Sequence, residues 1–481
     1  MSNGIAPAGN ANPSAWWKRA LFLLLLCSIT FAIYPLWTRL RLGDWTFPFD
    51  DPWTHQVYAR NLAWHGQYAF NLGETSTGSS APLWTALMVP AHWLRLPPVA
   101  WALALGLLSL GLLGAIVWEW ASRRFPSPLP LLLAVATLLS PQIAWAGVEG
   151  METALVAALA LLILRRLDGG RWTSGWAAFL DGLLNGLLLW LRPEGPLLTL
   201  VAAWQRRREG WARLLAFVAG FLTLAGPYLA FHWALGGRPL PQTVYAKVAY
   251  YGRPVTWASL GGFLRGLGLS FAPGPWPLLV LLLPLALWRM ARRREWRWAP
   301  GLAWAGITLL LAALRLPVVL HFGRHFAPTL PILLLAGGEA LLALPRSGRQ
   351  AVMGIAACLL VIGIAIAIPF YWMAGQGILD SHVAMGHWIA AHLPAGTRVA
   401  THDVGAIGFF GGHPIVDTMA LITPELTPIV AARDPTRLLG YLQGHDVHYL
   451  AAFPEVYPEV LQQAGVRQLD RQGRLVLLYL P

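Results

Sequence analysis

Two adjacent carboxylates stand in segment 49–53, Phe-Asp-Asp-Pro-Trp, where a helix is expected to begin. Asp51 directly precedes a proline, which is typical of a helix N-cap, so this residue has a structural task available. Asp50 has no such task. Because a carboxylate at a helix start beside a second carboxylate suits a general base or a metal ligand, we expect Asp50 to be the catalytic base and Asp51 to support it.

Further carboxylates lie in the same loop and in the next loop along the chain. Glu74 belongs to a polar turn, and Glu149 and Glu152 precede an apolar segment. Acidic residues number only 22 in 481, so their clustering in loops is informative. We expect these residues to support the reaction or bind the acceptor. Asp51 and Glu149 could hold a divalent cation (Ca²⁺, Mg²⁺ or Mn²⁺), although no cofactor is required.

Cationic and titratable side chains occupy the same set of loops. They are Arg60, Arg192, Lys247, Arg324 and His325. Charges beside a bilayer are costly and are therefore functional candidates, although each one alone could equally be an anchor that orients the protein. Together with the carboxylates, they predict a site that binds an anionic headgroup next to a base.

The composition places these loops in a membrane protein. The chain is 56% hydrophobic and 12% charged, whereas soluble chains carry roughly 25% charged residues. Apolar runs long enough to cross a bilayer, or to contribute much of a crossing, recur along the sequence. The predicted spans are 20–38, 99–120, 128–146, 151–167, 174–191, 196–204, 211–234, 275–291, 299–318, 325–344 and 350–373.

The basic residues orient these spans. About half of the 35 lysines and arginines fall in one alternating set of short loops, which the positive-inside rule assigns to the cytoplasm. The net charge of +13 therefore reflects topology and predicts no nucleic-acid partner. The N-terminus is expected inside a plasma (inner) membrane and the C-terminal region outside. This topology makes the apolar stretch 82–94 an interfacial helix, alongside the helix that follows Asp51.

Three regions follow from these patterns. Residues 1–19 are expected to form a disordered cytoplasmic N-terminus. Residues 20–378 form a transmembrane domain with a first outer loop, 39–98, and a second outer loop, 236–274. Residues 379–481 form an extracytoplasmic α/β domain, in which strands alternate with helices. Its predicted strands are 398–401, 415–416, 447–451 and 475–480, and its predicted helices are 384–392, 424–432 and 454–463. Asp403 and Asp417 follow strands and are predicted to be turn and cap residues.

The outer-loop segments form an ordered series. They are Asp50-Asp51, Tyr-Ala-Arg-Asn-Leu at 58–62, Asn-Leu-Gly-Glu at 71–74, Pro-Leu-Trp at 82–84, 149–153, 191–195 and 237–247. This series resembles polyprenyl-phosphate-sugar-dependent glycosyltransferases of the GT-C fold, most closely the mycobacterial arabinofuranosyltransferase-like branch. Pro52, His65, Gln242 and His325 depart from the family pattern, which bears on the sugar and the acceptor more than on the reaction class.

The resemblance implies a fold and an activity. The fold is an α-helical polytopic membrane protein of about eleven transmembrane helices, with two interfacial helices and a small C-terminal α/β domain. The activity is inverting transfer of a hexosyl or pentosyl group from a polyprenyl-phosphate sugar to a hydroxyl of a glycan, lipid or protein acceptor. Asp50 would take the proton, and Arg192, Lys247 and Arg324 would receive the leaving phosphate.

Two other classes share many helices and charges at the membrane rim. One is a transporter or flippase of lipid-linked glycans, and the other is a ligase of lipid-linked glycans. Transporters typically show internal repeats or paired broken spans. The sequence indicates neither, and its two long outer loops favour an enzyme.

Overall fold

The computed structural model describes residues 14–252, 255–315, 319 and 321–481. Most of the predicted disordered segment 1–19 lies outside these residues. Its last part is helical, because α1 already begins at Ser14.

Within the described residues, the regular elements of the first part of the chain are all helices. Its outer and membrane helices are α1 (Ser14–Phe31), α2 (Trp37–Leu42), α3 (Asp51–His65), α4 (Pro82–Trp93), α5 (Pro98–Ser122), α6 (Leu129–Leu139), α7 (Pro141–Val148), α8 (Thr153–Asp168), α9 (Gly175–Leu191), α10 (Pro196–Arg206), α11 (Trp211–Gly236), α12 (Gln242–Tyr251), α13 (Trp257–Phe271), α14 (Trp276–Arg293), α15 (Ala299–Arg315), α16 (Leu330–Ala343) and α17 (Arg346–Gly377). A π-helical turn, Ala32–Leu36, joins α1 to α2, and 3₁₀ turns, His321–Gly323 and Ala327–Thr329, precede α16. Each predicted span coincides with helical structure as far as it is described; residues 316–318 of the span 299–318 lie outside the described residues.

The lengths of these helices support a multi-pass membrane protein. Within the described ranges, five helices are long and apolar enough to cross a membrane, or up to seven if each of two bent pairs is one span. The α6–α7 pair bends by 58° and the α13–α14 pair by 107°. Length and composition therefore support fewer crossings than the eleven predicted.

The two bent pairs also correct the expectation that no span is broken. The α6–α7 break falls at Ser140, whose backbone is extended and which precedes Pro141. Proline lacks the N–H that would continue the helix and disfavours helical backbone at the residue before it.

The first outer loop contains the two helices predicted for it. α3 and α4 pack against each other through buried polar contacts. The Nδ1 atom of His55 lies 2.8 Å from Oγ1 of Thr85, and Nε2 of His92 lies 2.9 Å from Oε1 of Gln56. Because buried polar groups are stabilised when they are paired, these contacts hold the two helices in one orientation.

The C-terminal region contains a five-stranded mixed sheet. The strands are β1 (Val399–Thr401), β2 (Ile415–Asp417), β3 (Tyr449–Ala452), β4 (Arg467–Gln472) and β5 (Leu475–Tyr479), in the order β2-β1-β3-β5-β4. β1 pairs in parallel with β2 and β3, whereas β5 is antiparallel to both β3 and β4. The four predicted strands are confirmed. The polar strand β4 was missed because it is an edge strand without an apolar pattern.

Helices complete this α/β domain. They are α18 (Ala384–His392), α19 (Gly405–Gly411), α20 (Thr427–Ala432), α21 (Pro435–Gly444) and α22 (Pro458–Leu461). The predicted boundary at residue 379 lies inside a continuous helix, because a π-helical turn, Ile378–Val383, joins α17 to α18. The domain therefore continues directly from the last membrane helix.

The sheet lies between the two outer loops. Val399 on one face shares a buried cluster with Val57 and Tyr58 of α3. Its neighbour Ala400, on the other face, shares a separate cluster with Ala246 of α12. Successive strand residues point to opposite faces, so one three-residue strand contacts both loops.

Glycines allow α9 and α11 to approach closely. A Cβ added at Gly182 would lie 2.0 Å from the carbonyl oxygen of Phe217, and one at Gly220 would lie 2.0 Å from the carbonyl oxygen of Phe179. Gly226, also on α11, has nothing within 4 Å of an added Cβ. A larger residue at the crossing must therefore separate the two backbones.

We expect Gly220→Ala to destabilise the protein by about 1–3 kcal/mol through overpacking. Gly226→Ala is the control, and it should be neutral or slightly stabilising because alanine favours helix more than glycine does. Thermal unfolding of both variants in detergent, followed by intrinsic fluorescence, measures the difference. Identical melting temperatures would show that the close crossing does not limit stability.

Candidate active site

The carboxylate of Asp50 is fully engaged by the C-terminal domain. Its two oxygens accept hydrogen bonds from the backbone N–H of Gly405 (2.6 Å) and of Ala406 (2.7 Å), at the start of α19. The side chain is 8% exposed, and burial raises the pKa of Asp50 to about 6. Asp50 was predicted to have no structural task, but it has one in the structure: it joins α3 to the C-terminal domain.

Asp51 faces an open crevice instead. It is the first residue of α3 and makes no cap, so the predicted N-cap role is wrong, and Asp50 occupies the N-cap position without a capping hydrogen bond. Asp51 forms an ion pair with Arg324, and its side chain remains 38% exposed. Burial raises the pKa of Asp51, but the charge of Arg324, followed by those of His321 and Lys247, lowers it far below the ordinary range.

Arg324 uses only part of its hydrogen-bonding capacity within the described part of the chain. Its side chain is 4% exposed, and one terminal nitrogen donates to Asp51. Its Nε and Nη1 atoms are buried and have no hydrogen-bond partner in the described part of the chain. The guanidinium also lies over the ring of Phe49, 5.0 Å from its centroid. Because a guanidinium presents several donors in one plane, these two nitrogens are suited to an anionic oxygen.

Arg192 is the centre of a second buried cluster. Its Nε lies 2.7 Å from Oε1 of Glu152, and Nη1 donates to Nδ1 of His325 at 2.9 Å and lies 3.4 Å from Oε1 of Glu194. Since His325 accepts this bond through Nδ1, that nitrogen carries no proton. Arg192 also donates to the hydroxyl of Thr153 at 3.3 Å.

Glu149 and His55 extend this cluster toward α3. The hydroxyl of Thr153 donates to Oε1 of Glu149, whose Oε2 is buried without a partner among the described residues. Burial raises the pKa of Glu149 to about 7. Nε2 of His55 lies 4.0 Å from Oε2 of Glu152, so polar contacts run from α4 through α3 to the start of α8.

A cavity of about 430 Å³ opens beside these clusters, and we call it the cationic cavity. Its charged wall includes Arg192, Lys247 and Arg315, with His325 beside them. Burial, followed by the charge of Arg324, lowers the pKa of Lys247, as expected for a cation held near other cations. The opposite walls are largely apolar: Leu197, Leu240, Val244, Val248, Leu311, Ala312 and Phe326.

Two predicted site residues are not part of these clusters. Arg60 donates to the carbonyl oxygen of Phe409 at 2.8 Å and lies over its ring, so it contacts α19. Glu74 pairs with Arg398 at 3.0 Å on the surface. Both therefore contact the C-terminal domain, and the structure does not bring Arg60 to the cationic cavity as a phosphate ligand.

The predicted metal ligands do not form a recognisable cation site. Over the described ranges, no group of three or more His, Cys, Asp or Glu side chains could hold a metal ion. Asp51 is paired with Arg324, and Glu149 with Thr153. A divalent cation bridging these two carboxylates stays a prediction.

A histidine–aspartate group near Asp50 was not predicted from the sequence. Nε2 of His382, on the π-helical turn after α17, lies 2.9 Å from Oδ2 of Asp403, and Nε2 of His402 lies 3.5 Å from the same oxygen. The charges of His382 and Asp403 both act on the pKa of Asp50. The signal was available, because Asp403 follows the carboxyl end of a parallel strand, where α/β sheets commonly form sites.

The two predicted turn residues of the domain differ. The carboxylate of Asp417 accepts bonds from the backbone N–H of Met419 (2.8 Å), Leu421 and Ile422 (3.0 Å), which confirms its turn role. The carboxylate of Asp403 instead binds the histidines, so its predicted cap role is wrong.

We expect Asp50→Ala to loosen the attachment of α19 to α3. Hydrogen bonds to a charged acceptor contribute about 1.5–3 kcal/mol each, so hydrogen exchange at Gly405 and Ala406 should accelerate roughly ten- to hundredfold. Asp44→Ala is the matched control, because the Asp44 carboxylate bonds only to the adjacent Trp45 N–H among the contacts described. Unchanged exchange in Asp50→Ala, measured by mass spectrometry, would contradict the joining role.

Comparisons with known proteins agree on the fold. ArnT from Cupriavidus metallidurans, solved bound to undecaprenyl phosphate, is similar over 97% of this chain and 98% of its own, with a TM-score of 0.62 and 15% identity. The archaeal oligosaccharyltransferase AglB from Archaeoglobus fulgidus, solved with an inhibitory peptide and a dolichol-phosphate, is similar over 92% of this chain and 70% of its own, with a TM-score of 0.58 and 12% identity. At these identities the likeness shows the fold.

The other comparisons are less informative. The arabinofuranosyltransferase AftD from Mycobacteria is similar over 98% of this chain and 42% of its own, with a TM-score of 0.49 and 16% identity, so the closeness to that branch stays a prediction. Residues 372–479 match a domain of unknown function, DUF8728. No curated protein matches the chain. The chain is an α-helical, multi-pass membrane protein with the GT-C fold of glycosyltransferases and a small C-terminal α/β domain, as its sequence predicted.

Proposed function

We propose that this chain is a glycosyltransferase that moves a sugar from a polyprenyl-phosphate donor to an acceptor hydroxyl on the extracytoplasmic side. The cationic cavity carries this proposal, because it combines cations with apolar walls, and the charge of its Lys247 acts on Asp51. A lipid phosphate has the matching two parts, an anionic headgroup and an apolar chain. The ArnT and AglB structures, which share the fold, were solved with undecaprenyl phosphate and with a dolichol-phosphate.

The donor phosphate is proposed to lie between Arg324, Lys247 and Arg192. Arg324 offers two nitrogens that have no partner among the described residues, and Lys247 supplies a cation whose pKa is lowered by burial and then by the charge of Arg324. An anion bound here would contact these cations and would also reduce the repulsion between them. The apolar wall formed by α10, α12 and α15 would receive the first part of the lipid chain.

We propose Asp51, in place of the predicted Asp50, as the carboxylate that acts on the acceptor. Both oxygens of Asp50 are occupied by backbone N–H groups, whereas Asp51 is exposed to the crevice. The acceptor oxygen would form a bond to the anomeric carbon as the bond from that carbon to the phosphate oxygen breaks. The hydroxyl proton passes to Asp51 and the electron pair leaves with the lipid phosphate, which inverts the anomeric configuration.

Arg324 would couple donor binding to the transfer of the hydroxyl proton to Asp51. Before a donor binds, the charge of Arg324, followed by those of His321 and Lys247, holds the pKa of Asp51 far below the ordinary range, which makes Asp51 a weak base. A phosphate that binds the free nitrogens of Arg324 brings negative charge close to Asp51 and raises that pKa. Asp51 would therefore become a competent base only when a donor is present.

A transporter of lipid-linked glycans is the second candidate. The two bent helix pairs favour it, because broken spans line substrate sites in many transporters. Reconstitution of the protein in vesicles with a radiolabelled polyprenyl-phosphate sugar distinguishes the two functions. Transfer of label to an acceptor with release of polyprenyl phosphate supports the enzyme, and movement of the intact lipid across the bilayer without release supports the transporter.

We expect Asp51→Asn to reduce turnover by about 10²–10⁴-fold, the usual contribution of a positioned base, without preventing donor binding. Sugar transfer is measured with a panel of radiolabelled polyprenyl-phosphate pentoses and hexoses. Asp44→Asn, in the same outer loop, is the control and should retain full activity. If Asp50→Asn instead abolishes transfer while folding normally, and Asp51→Asn does not, the base is Asp50.

We expect Lys247→Met to weaken the binding of undecaprenyl phosphate about tenfold or more, since a charge-assisted contact contributes roughly 1.5–3 kcal/mol. Arg238→Met is the matched control, because Arg238 is an exposed cation of the same outer loop that lies over Tyr245. Native mass spectrometry of the purified variants reports the bound lipid. Equal affinities for the two variants would remove Lys247 from the phosphate site.

A further inference from the structure

A larger cavity, of about 1160 Å³, lies between the second outer loop and the C-terminal domain. α12 and α13 form one side, with Tyr250 and Tyr251 at the end of α12, and the domain contributes Thr418 and Tyr457. Tyr251 also lines the cationic cavity, so the two cavities meet at this side chain. A molecule in the larger cavity would therefore reach the site proposed for the donor.

The lining of this cavity suits sugar rings. Its three tyrosines present flat apolar faces, against which the C–H faces of a pyranose or furanose can pack, together with hydroxyls that can bond to the sugar. The Tyr457 hydroxyl donates to Oγ1 of Thr418 at 2.7 Å, and Tyr250 and Tyr251 meet edge to face at 4.7 Å between centroids. These contacts hold the rings in place before a ligand arrives, which lowers the entropic cost of binding.

The charges around the larger cavity differ from those around the cationic cavity. Among the described lining residues, Arg433 is the cation, and Asp434 and Glu459 are carboxylates. Arg433 donates to the carbonyl oxygen of Tyr250 at 2.8 Å and so ties the domain to the outer loop. The described lining therefore carries one cation against two carboxylates, which is unlike a phosphate site. It favours a neutral ligand rich in hydroxyl groups.

The size of the cavity indicates how much of such a ligand it holds. Sites for small molecules measure roughly 300–1,000 Å³, and this cavity exceeds that range. We propose that it is the acceptor site, and that it binds a neutral glycan of several sugar units between Tyr250, Tyr251 and Tyr457. Its role as an acceptor site rests on the proposed glycosyltransferase function, but glycan binding in the cavity does not depend on turnover.

The test measures glycan binding in the absence of any donor. Short linear oligosaccharides of pentofuranose, mannose or glucose are added to the detergent-solubilised full chain, and saturation-transfer difference NMR reports binding. We expect at least one series to bind, and Tyr250→Ala and Tyr457→Ala each to weaken it tenfold or more. Tyr245→Ala is the matched control, because Tyr245 lies on α12 beside Arg238 and is not among the residues that line the cavity.

A parallel measurement separates a folding defect from the loss of a glycan contact. Both cavity variants should bind undecaprenyl phosphate as the wild type does. The proposal is overturned if no oligosaccharide binds to the wild type, or if Tyr245→Ala weakens binding as much as Tyr457→Ala. Glycan binding without any sugar transfer from the donor panel would preserve this site and refute the glycosyltransferase function instead.

Discussion

The structure depends on the attachment of one sheet to two outer loops. β1 contributes Val399 to a cluster with α3 and Ala400 to a cluster with α12, and the two Asp50 oxygens bind the start of α19. Because a buried carboxylate is stable only when its oxygens are bonded, Asp50 allows one arrangement of α3 and α19. The C-terminal domain is thereby held against the outer loops, and it lines the larger cavity.

This attachment sets the electrostatics of the site. Asp50 is hydrogen-bonded to the C-terminal domain, whereas its neighbour Asp51 faces the crevice and forms an ion pair with Arg324. Arg324, Lys247 and Arg192 lie close enough to act on each other's charges, and Arg324 retains unbonded nitrogens. Cations that lie close together where water solvates them poorly repel one another, and a bound anion reduces this repulsion. This arrangement of charges is what supports the proposed phosphate site.

The two cavities divide the proposed chemistry between them. The smaller one combines cations with an apolar wall, whereas the larger one combines tyrosines with a balanced set of charges. Tyr251 lines both, beside the crevice that contains Asp51, whose charge acts on the Tyr251 hydroxyl. A reaction between a lipid-linked sugar and a glycan needs two neighbouring compartments of this kind, because one substrate is anionic and apolar and the other is neutral and hydrated.

The helices α12, α13, α19 and α21 were not predicted. The sequence by itself determined the membrane helices, the two helices of the first outer loop, four of the five strands and the group of loops that carries the candidate site. These features follow from local patterns, since apolar runs, strand alternation and charge placement act over short stretches of chain. From the sequence we expected Asp50 to be the base, but a local pattern does not show which partners two neighbouring residues meet when their side chains point in different directions from a helix start. Gly405 lies 355 positions from Asp50, and Arg324 lies 273 from Asp51. Only the packed structure brings such partners together, and it therefore decided which carboxylate is buried and which is open.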